Sequence, residues 1–150
     1  MVDSVVQFSL FLMNKPGVLA RVSRQLAQAK ANVLAMTMVD SSEHGVLRLV
    51  AVEPDRVRAA LKELNLPMTE TDVLLVEMAN RTGALAEVCS RLAAAHINIS
   101  YAYCTTGARG GKTTGIFKVA DPKRAIKVLS KQAVKSRDMN RKLRRPVALR

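Results

Sequence analysis

An internal repeat constrains this chain more than any other feature. Displacing the sequence by 66 residues brings Asn14 onto Asn80, Gly17 onto Gly83, Leu19 onto Leu85, Ala20 onto Ala86, Val22 onto Val88, Leu26 onto Leu92 and Asn32 onto Asn98. Arrays of short repeats need three or more units to bury a common core, so two copies of this size indicate a tandem of small self-contained domains. The division drawn from the repeat is 1–72 for the first copy, 73–132 for the second and 133–150 for a C-terminal extension.

The first copy opens with strand chemistry. In "VVQFSLFL", Val6, Phe8, Leu10 and Leu12 alternate and define one face of a strand over residues 5–12. From Gly17 the period changes, and Leu19, Val22, Leu26 and Ala29 make a stripe along a helix running to about Ala31. "NVLAMTMV" returns to strand chemistry, "SSEHG" is a turn, "VLRLVAV" a strand and "EPDRVRAALKEL" a helix with Pro54 in its first turn. Val57, Ala60, Leu61 and Leu64 turn inward from that helix.

A short strand over 68–72 then leads into the second copy, which repeats the order: strand 73–79, helix 83–95, strand 97–104, strand 113–120, helix 122–132. With one apolar stripe per helix and alternating strands, the economical packing is two helices on one face of a four-stranded antiparallel sheet. The expected fold class is therefore α+β, with a ferredoxin-like βαββαβ arrangement in each copy.

Composition limits the function. The hydrophobic share is 49% but includes no Trp, two Tyr and three Phe, so the core is aliphatic. No stretch approaches the roughly 20 apolar residues of a membrane span. The N-terminus lacks the basic start and cleavage site of a signal peptide, so a cytoplasmic location and no membrane partner are expected. Cys89 and Cys104 have no C-x-x-C spacing and read as buried or half-buried thiols; together with His44 and His96 they offer no metal-ligand pattern. Neither a metal nor a cofactor is expected. Catalysis would need an activated nucleophile or an acid–base pair, and neither histidine is so placed: His44 falls in a turn beside Gly45, and His96 ends a helix where a cation suits the dipole. The chain reads as a protein that is not an enzyme.

The repeated loop is the best candidate site. Gly17 and Gly83 fall where a strand turns into a helix, and a residue without Cβ permits positive φ and close approach there. The unpaired N–H groups of the first helical turn, with the helix dipole, favour a carboxylate or phosphate. A plainer reading stands beside this one: Asn14 and Asn80 initiate turns, Pro16 opens a helix, and a glycine in a tight turn needs no ligand. Neither loop is G-x-x-x-x-G-K-[ST] or G-x-G-x-x-G, so a nucleotide loop is disfavoured. "GARGGK" at 107–112 falls between two strands and reads as a hairpin turn with Arg109 and Lys112 at its tip. Tyr101 and Tyr103 alternate along a strand and suit either a pocket or an ordinary half-buried sheet position.

The net charge of +12 is uneven. Residues 1–120 carry 13 Lys and Arg against 10 Asp and Glu, and residues 121–150 carry 11 against 2. A tail of this kind could bind nucleic acid or an acidic partner; it also reads as a disordered extension, as a helix continuing over 125–143, or as a last strand. RNA reading by a ferredoxin-like sheet uses paired aromatics, and Phe117 stands alone at that position.

"NKPGVLARVSRQLAQAKANV" and "NRTGALAEVCSRLAAAHINI" resemble the signature of ACT domains, in which a strand delivers a D/N-x-P-G-x-L loop, then a helix, then "N-I" entering the second strand. The chain as a whole resembles stand-alone tandem ACT proteins. The resemblance implies a regulatory module that binds a small ligand, usually an amino acid, at an interface between two ACT domains. It implies allosteric control of amino-acid metabolism, with backbone N–H groups of the loop on the ligand carboxylate and the start of a partner domain's second strand closing the pocket. Carried onto this chain, the site residues are Asn14, Lys15, Pro16, Gly17, Val18 and Leu19 with Asn32 and Val33, and Asn80, Arg81, Thr82, Gly83, Ala84 and Leu85 with Asn98 and Ile99. Thr82 departs from the family proline, which puts the equivalence of the two sites in question. The implied partners are an amino-acid ligand, a second copy joined through sheet edges or helices, and an enzyme supplied by a separate subunit. The alternative is a nucleic-acid or acidic-partner binding protein acting through the basic tail.

Overall fold

A computed structural model describes residues 1–40, 44–107 and 111–131. The basic extension with its proposed strand, helix or nucleic-acid contact lies outside these residues, as do the tip of "GARGGK" and most of the "SSEHG" turn. The elements follow the order expected from the repeat: β1 (Val2–Met13), α1 (Val18–Gln28), β2 (Val33–Asp40), β3 (His44–Ala51), α2 (Pro54–Glu63), β4 (Met68–Ala79), α3 (Ala84–Ala94), β5 (Ile99–Thr106) and β6 (Lys112–Val119). A further helix, α4, occupies 122–131.

The two copies match in detail. α1 and α3 end alike, with Lys30 and His96 both at φ 53. The following amides, Ala31 and Ile97, donate to the Leu26 and Leu92 carbonyls at 3.0 and 2.9 Å, which satisfies acceptors otherwise orphaned at a helix end. His96 thus sits just beyond its helix, in the left-handed turn. His44, expected in a turn, instead begins β3, because the antiparallel ladder with β1 extends to a Met13–His44 pair.

The copies do not form two sheets. One antiparallel sheet has the order β2-β3-β1-β4-β6-β5. β1 and β4 are each 12 residues long, about 40 Å at 3.3 Å per residue, and so reach across both copies. Their pairing runs from Val2 opposite Val76 to Leu10 opposite Met68. The 68–72 half of β4 closes the first copy, as expected, and Val2–Val6 of β1 takes the corresponding place beside β4 in the second. A local two-fold axis passes by the Val6–Asp72 pair. In the second copy the strand position beside β4 is thus filled by the chain's own N-terminal strand.

The helices cover one face. Phe8, Leu10, Leu12, Leu47 and Leu49 pack against Val22 and Leu26 of α1 and Val57, Ala60 and Leu61 of α2. Leu74, Val76, Met78, Phe117 and Val119 pack against Ala84, Val88 and Leu92 of α3 and Ala125 and Leu129 of α4. Of the inward residues expected from the helix periods, Val22, Leu26, Val57, Ala60, Leu61 and Leu64 are buried, and Leu19 and Ala29 are half-buried against the same core. On the other face the sheet curls until β2 and β5, at opposite ends of the strand order, come into contact. That face closes over Val50, Val73, Leu75 and Ile116, with the fully buried Gln7 among them.

Candidate functional site

Both repeated loops fold in the same way. Lys15 and Arg81 donate their amides to the Met13 and Ala79 carbonyls at 2.9 Å, a tight turn directly after the strand. Gly17 and Gly83 follow at φ 85, ψ −11 and φ 87, ψ −14, each capping the helix that begins at the next residue. The Arg21 and Glu87 amides then reach the glycine carbonyls at 3.0 and 2.9 Å. Among the described residues no backbone acceptor is paired with the Leu19 or Leu85 amide. Each loop therefore presents a helix N-terminus with donor capacity, flanked by Lys15 in one case and Arg81 in the other.

Asn14, Lys15, Pro16 and Gly17 are exposed, and Val18 and Leu19 half-buried. Asn80 is half-buried, Arg81, Thr82, Gly83 and Leu85 exposed, and Ala84 buried. The second loop is tied to the neighbouring hairpin by the Asn80 amide on the Gly111 carbonyl at 2.8 Å and Asn80 Nδ2 on the Gly107 carbonyl at 3.1 Å. Arg81 pairs with Glu87 at 2.7 Å and also donates to the Thr82 carbonyl, bracing the segment that lacks the family proline.

The strand-start residues lie elsewhere. Asn32 and Val33, like Asn98 and Ile99, stand at the far end of an 11-residue helix from their own loop, about 16 Å away at 1.5 Å per residue. Asn32 is held there by its amide on Glu53 Oε2 at 3.3 Å and by the Val52 amide on its carbonyl at 3.0 Å. The two loops are further apart. They leave opposite ends of the paired strands β1 and β4, on the order of 40 Å along the sheet. Within one chain Leu19 and Val33 share the wall of one cavity, whereas the rest of each loop stands apart from its own strand start.

A cavity lies beside each loop-helix junction. The one at the second loop, about 190 Å³, is lined by Asn80, Arg81, Ala84 and Leu85 together with Met78, Cys104, Thr106 and Thr113. The one in the first copy, about 150 Å³, reaches Leu19 and Val33 but is otherwise apolar, with Val22, Leu26, Met36 and Leu49 among its walls. The sites are unequal in polarity. A larger cavity of about 330 Å³ on the other flank of α3 has Arg81, Glu87, Glu77 and Arg91 in its wall. Sequence reasoning missed Cys104, Thr106 and Thr113; the signal was the alternation of Ala102, Cys104 and Thr106 along β5, opposite to the one that drew attention to the tyrosines. Cys104, expected to be buried or half-buried, is exposed, because the edge strand extends beyond its covering helix. Partial desolvation and then neighbouring Cys89 still push its thiol above the ordinary range.

The electrostatics are those of braces. Lys112 at 3.2 Å holds the Glu77 carboxyl below its usual range. Burial pushes the Tyr103 hydroxyl up, reinforced by Tyr101 and partly offset by Arg48. Among the described residues no cluster of three His, Cys, Asp or Glu side chains could hold a metal ion, and no helix is long and apolar enough to cross a membrane.

Two ferredoxin-like units on one sheet, each with a glycine loop opening a helix beside a cavity, define a class of paired ligand-binding modules. The family model described as an ACT domain pair matches residues 3–141, and the chain belongs to that family. Protein BT0572 from Bacteroides thetaiotaomicron is similar in structure, with 30% identity over 88% of this chain and 90% of that one and a TM-score of 0.79. The regulatory subunit of aspartate kinase from Thermus thermophilus, in ligand-free form, has the same fold at 15% identity, covering 85% and 92% of the two chains with a TM-score of 0.67. E. coli aspartokinase III in complex with lysine and aspartate matches 89% of this chain with 32% of its own, at 19% identity and a TM-score of 0.54. A search of curated protein sequences gives no match. Family membership supports a ligand-binding regulatory role, and no catalytic family is matched.

Proposed function

We propose that this chain is a non-catalytic regulatory module that binds an amino acid at interfaces between ACT domains and thereby senses or allosterically controls amino-acid metabolism. The observation that carries this is the pair of matching loops, Gly17 at φ 85 and Gly83 at φ 87, each presenting a helix N-terminus beside a cavity. The ligand carboxylate sits on the first-turn amides at Leu19 or Leu85, and the remaining named residues of both loops surround it. Because the strand starts at Asn32 and Asn98 lie far from the loops of the same chain, the second wall comes from another copy, which makes the working form a homodimer. The second copy joins through the sheet edges or the helices. The functional units are 1–72 and 73–132, sharing their two long strands. The chain acts in the cytoplasm, on an enzyme subunit supplied separately or as a regulator in its own right. Its likeness to the Thermus regulatory subunit of aspartate kinase and to the aspartokinase bound to lysine and aspartate is consistent with such a role.

Two or three charge-assisted hydrogen bonds at ~1.5–3 kcal/mol each, less the cost of ordering, leave about 6 kcal/mol, a dissociation constant on the order of tens of micromolar. Titration calorimetry with each amino acid in turn is expected to find a ligand. Gly17→Asp or Gly83→Asp, which sets a carboxylate against the ligand's own, is expected to abolish its binding. No saturable heat from any amino acid would overturn the proposal.

A further inference from the structure

A polar cluster on the helix-free face joins the two copies. Gln7 of β1 is fully buried there. Its Nε2 donates to Tyr101 Oη at 2.7 Å and to Ser9 Oγ at 3.2 Å, and its Oε1 accepts from the Tyr103 hydroxyl at 2.9 Å. The Arg48 guanidinium of β3 lies 4.1 Å from the centre of the Tyr101 ring. The first copy thus supplies Gln7, Ser9 and Arg48, and the second supplies both tyrosines from a single strand.

The repeat makes this arrangement informative. By position in the ladders, the counterparts of Gln7 and Arg48 in the second copy are Val73 and Ile116, and those of Tyr101 and Tyr103 in the first are Ala35 and Thr37. The cluster therefore exists once and breaks the two-fold symmetry that the rest of the sheet obeys. A buried amide bonded at both ends to residues more than 90 positions away fixes one relation between the copies, because withdrawing Tyr103 strips its Oε1 of the hydroxyl donor and withdrawing Tyr101 leaves its Nε2 only the longer bond to Ser9.

β5 can transmit a displacement. It is paired on one side only, with β6, and its register is interrupted by a bulge between Ile99 and Tyr101. Successive side chains point to opposite faces, so Tyr101 and Tyr103 hold the cluster while Cys104 and Thr106 face the cavity beside the second loop. A group entering that cavity and the Gln7 cluster act on opposite faces of the same edge strand.

We propose that β5 is a relay: filling the cavity at Cys104 and Thr106 displaces the strand and loosens the Gln7–Tyr101–Tyr103–Arg48 cluster, coupling the second copy's site to β1 and β3 of the first. The inference rests on that cavity being the ligand site. The coupling is one-sided, since the first copy's cavity faces a strand with no tyrosines.

A covalent probe tests the relay without a known ligand. In a Cys89→Ala background the Cys104 thiolate displaces iodide from iodoacetamide and places a carbamoylmethyl group at the cavity. The chain holds no Trp and only the two tyrosines, so its intrinsic emission reports on the cluster alone. Alkylation is expected to change that emission and to speed amide exchange in residues 7–9 and 48–50 about fivefold, the factor corresponding to a hydrogen bond of ~1 kcal/mol. Gln7→Leu, or Tyr103→Phe should Gln7→Leu not fold, is expected to abolish the response of residues 48–50 to alkylation. Complete modification of Cys104 by mass with unchanged emission and exchange would overturn the relay, as would an undiminished response in the folded variant. A failure to find an amino-acid ligand by calorimetry leaves this readout untouched, so the two proposals fail separately.

Discussion

Replacing Gly17 or Gly83 by alanine tests the loop geometry directly. The chain tolerates other residues in left-handed backbone, namely Lys30, Asn65 and His96 at φ 50 to 53. The loop glycines lie further out, at φ 85 and 87 with ψ near −12, away from the small left-handed basin open to L-residues. Steric crowding is not the issue: a Cβ on Gly17 would meet nothing within 4 Å, and one on Gly83 only Arg81 Nη1 at 3.8 Å. The cost is therefore backbone strain, about 1–2 kcal/mol, offset by the ~0.4–1 kcal/mol that alanine contributes by restricting the unfolded chain. The net loss is about 1 kcal/mol at either position, or ~2–4 °C in melting temperature for a chain of this size. Denaturant melts of both variants should show lower midpoints with unchanged slopes, and losses that agree within ~0.5 kcal/mol. A neutral Gly17→Ala, or a Gly83→Ala several times more damaging than its twin, would refute the claim that the loops are geometric equivalents held by strain alone.

Gly115→Ala is the contrasting case, because its Cβ would stand 2.6 Å from the fully buried Phe117 ring and 2.9 Å from Met78 Cε; a loss of ~1–3 kcal/mol is expected in the same melts. Leu92→Ala, at a fully buried position, should cost ~2–5 kcal/mol, whereas Leu85→Ala, 48% exposed, should stay within ~0.5 kcal/mol while weakening ligand binding. Arg58, hydrogen-bonded to Glu70 at 2.6 Å, holds that carboxyl below its usual range. A depressed folded pKa contributes stability that is present above the unfolded value near 4.3 and lost as pH falls through the folded one. Glu70→Gln should therefore flatten the fall of melting temperature below about pH 4.3.

What could be read from the sequence is what neighbouring residues decide among themselves. The stripe of Val22 and Leu26, the inward set of Val57, Ala60, Leu61 and Leu64, and the strand face of Phe8, Leu10 and Leu12 are fixed by periods of 3.6 and 2, which act over a few residues. The same holds for the loop glycines, since a sharp strand-to-helix turn at positive φ selects glycine locally. His44 and Cys104 went differently because a strand's end and an edge strand's cover are set by partners, here Met13 across the ladder and the limited reach of the helix layer.

The tertiary structure decided the rest. The repeat indicates two units, yet nothing local tells Val2–Val6 that its partner is the second copy's β4, some seventy residues away. That choice follows from two strands long enough to span both units and from burying an edge that would otherwise lie open. The curl that brings β2 to β5, and with it the Gln7 cluster, depends on contacts between residues more than 90 positions apart. Sequence periodicity acts over one turn or one strand pair, and only the folded sheet fixes which distant faces meet.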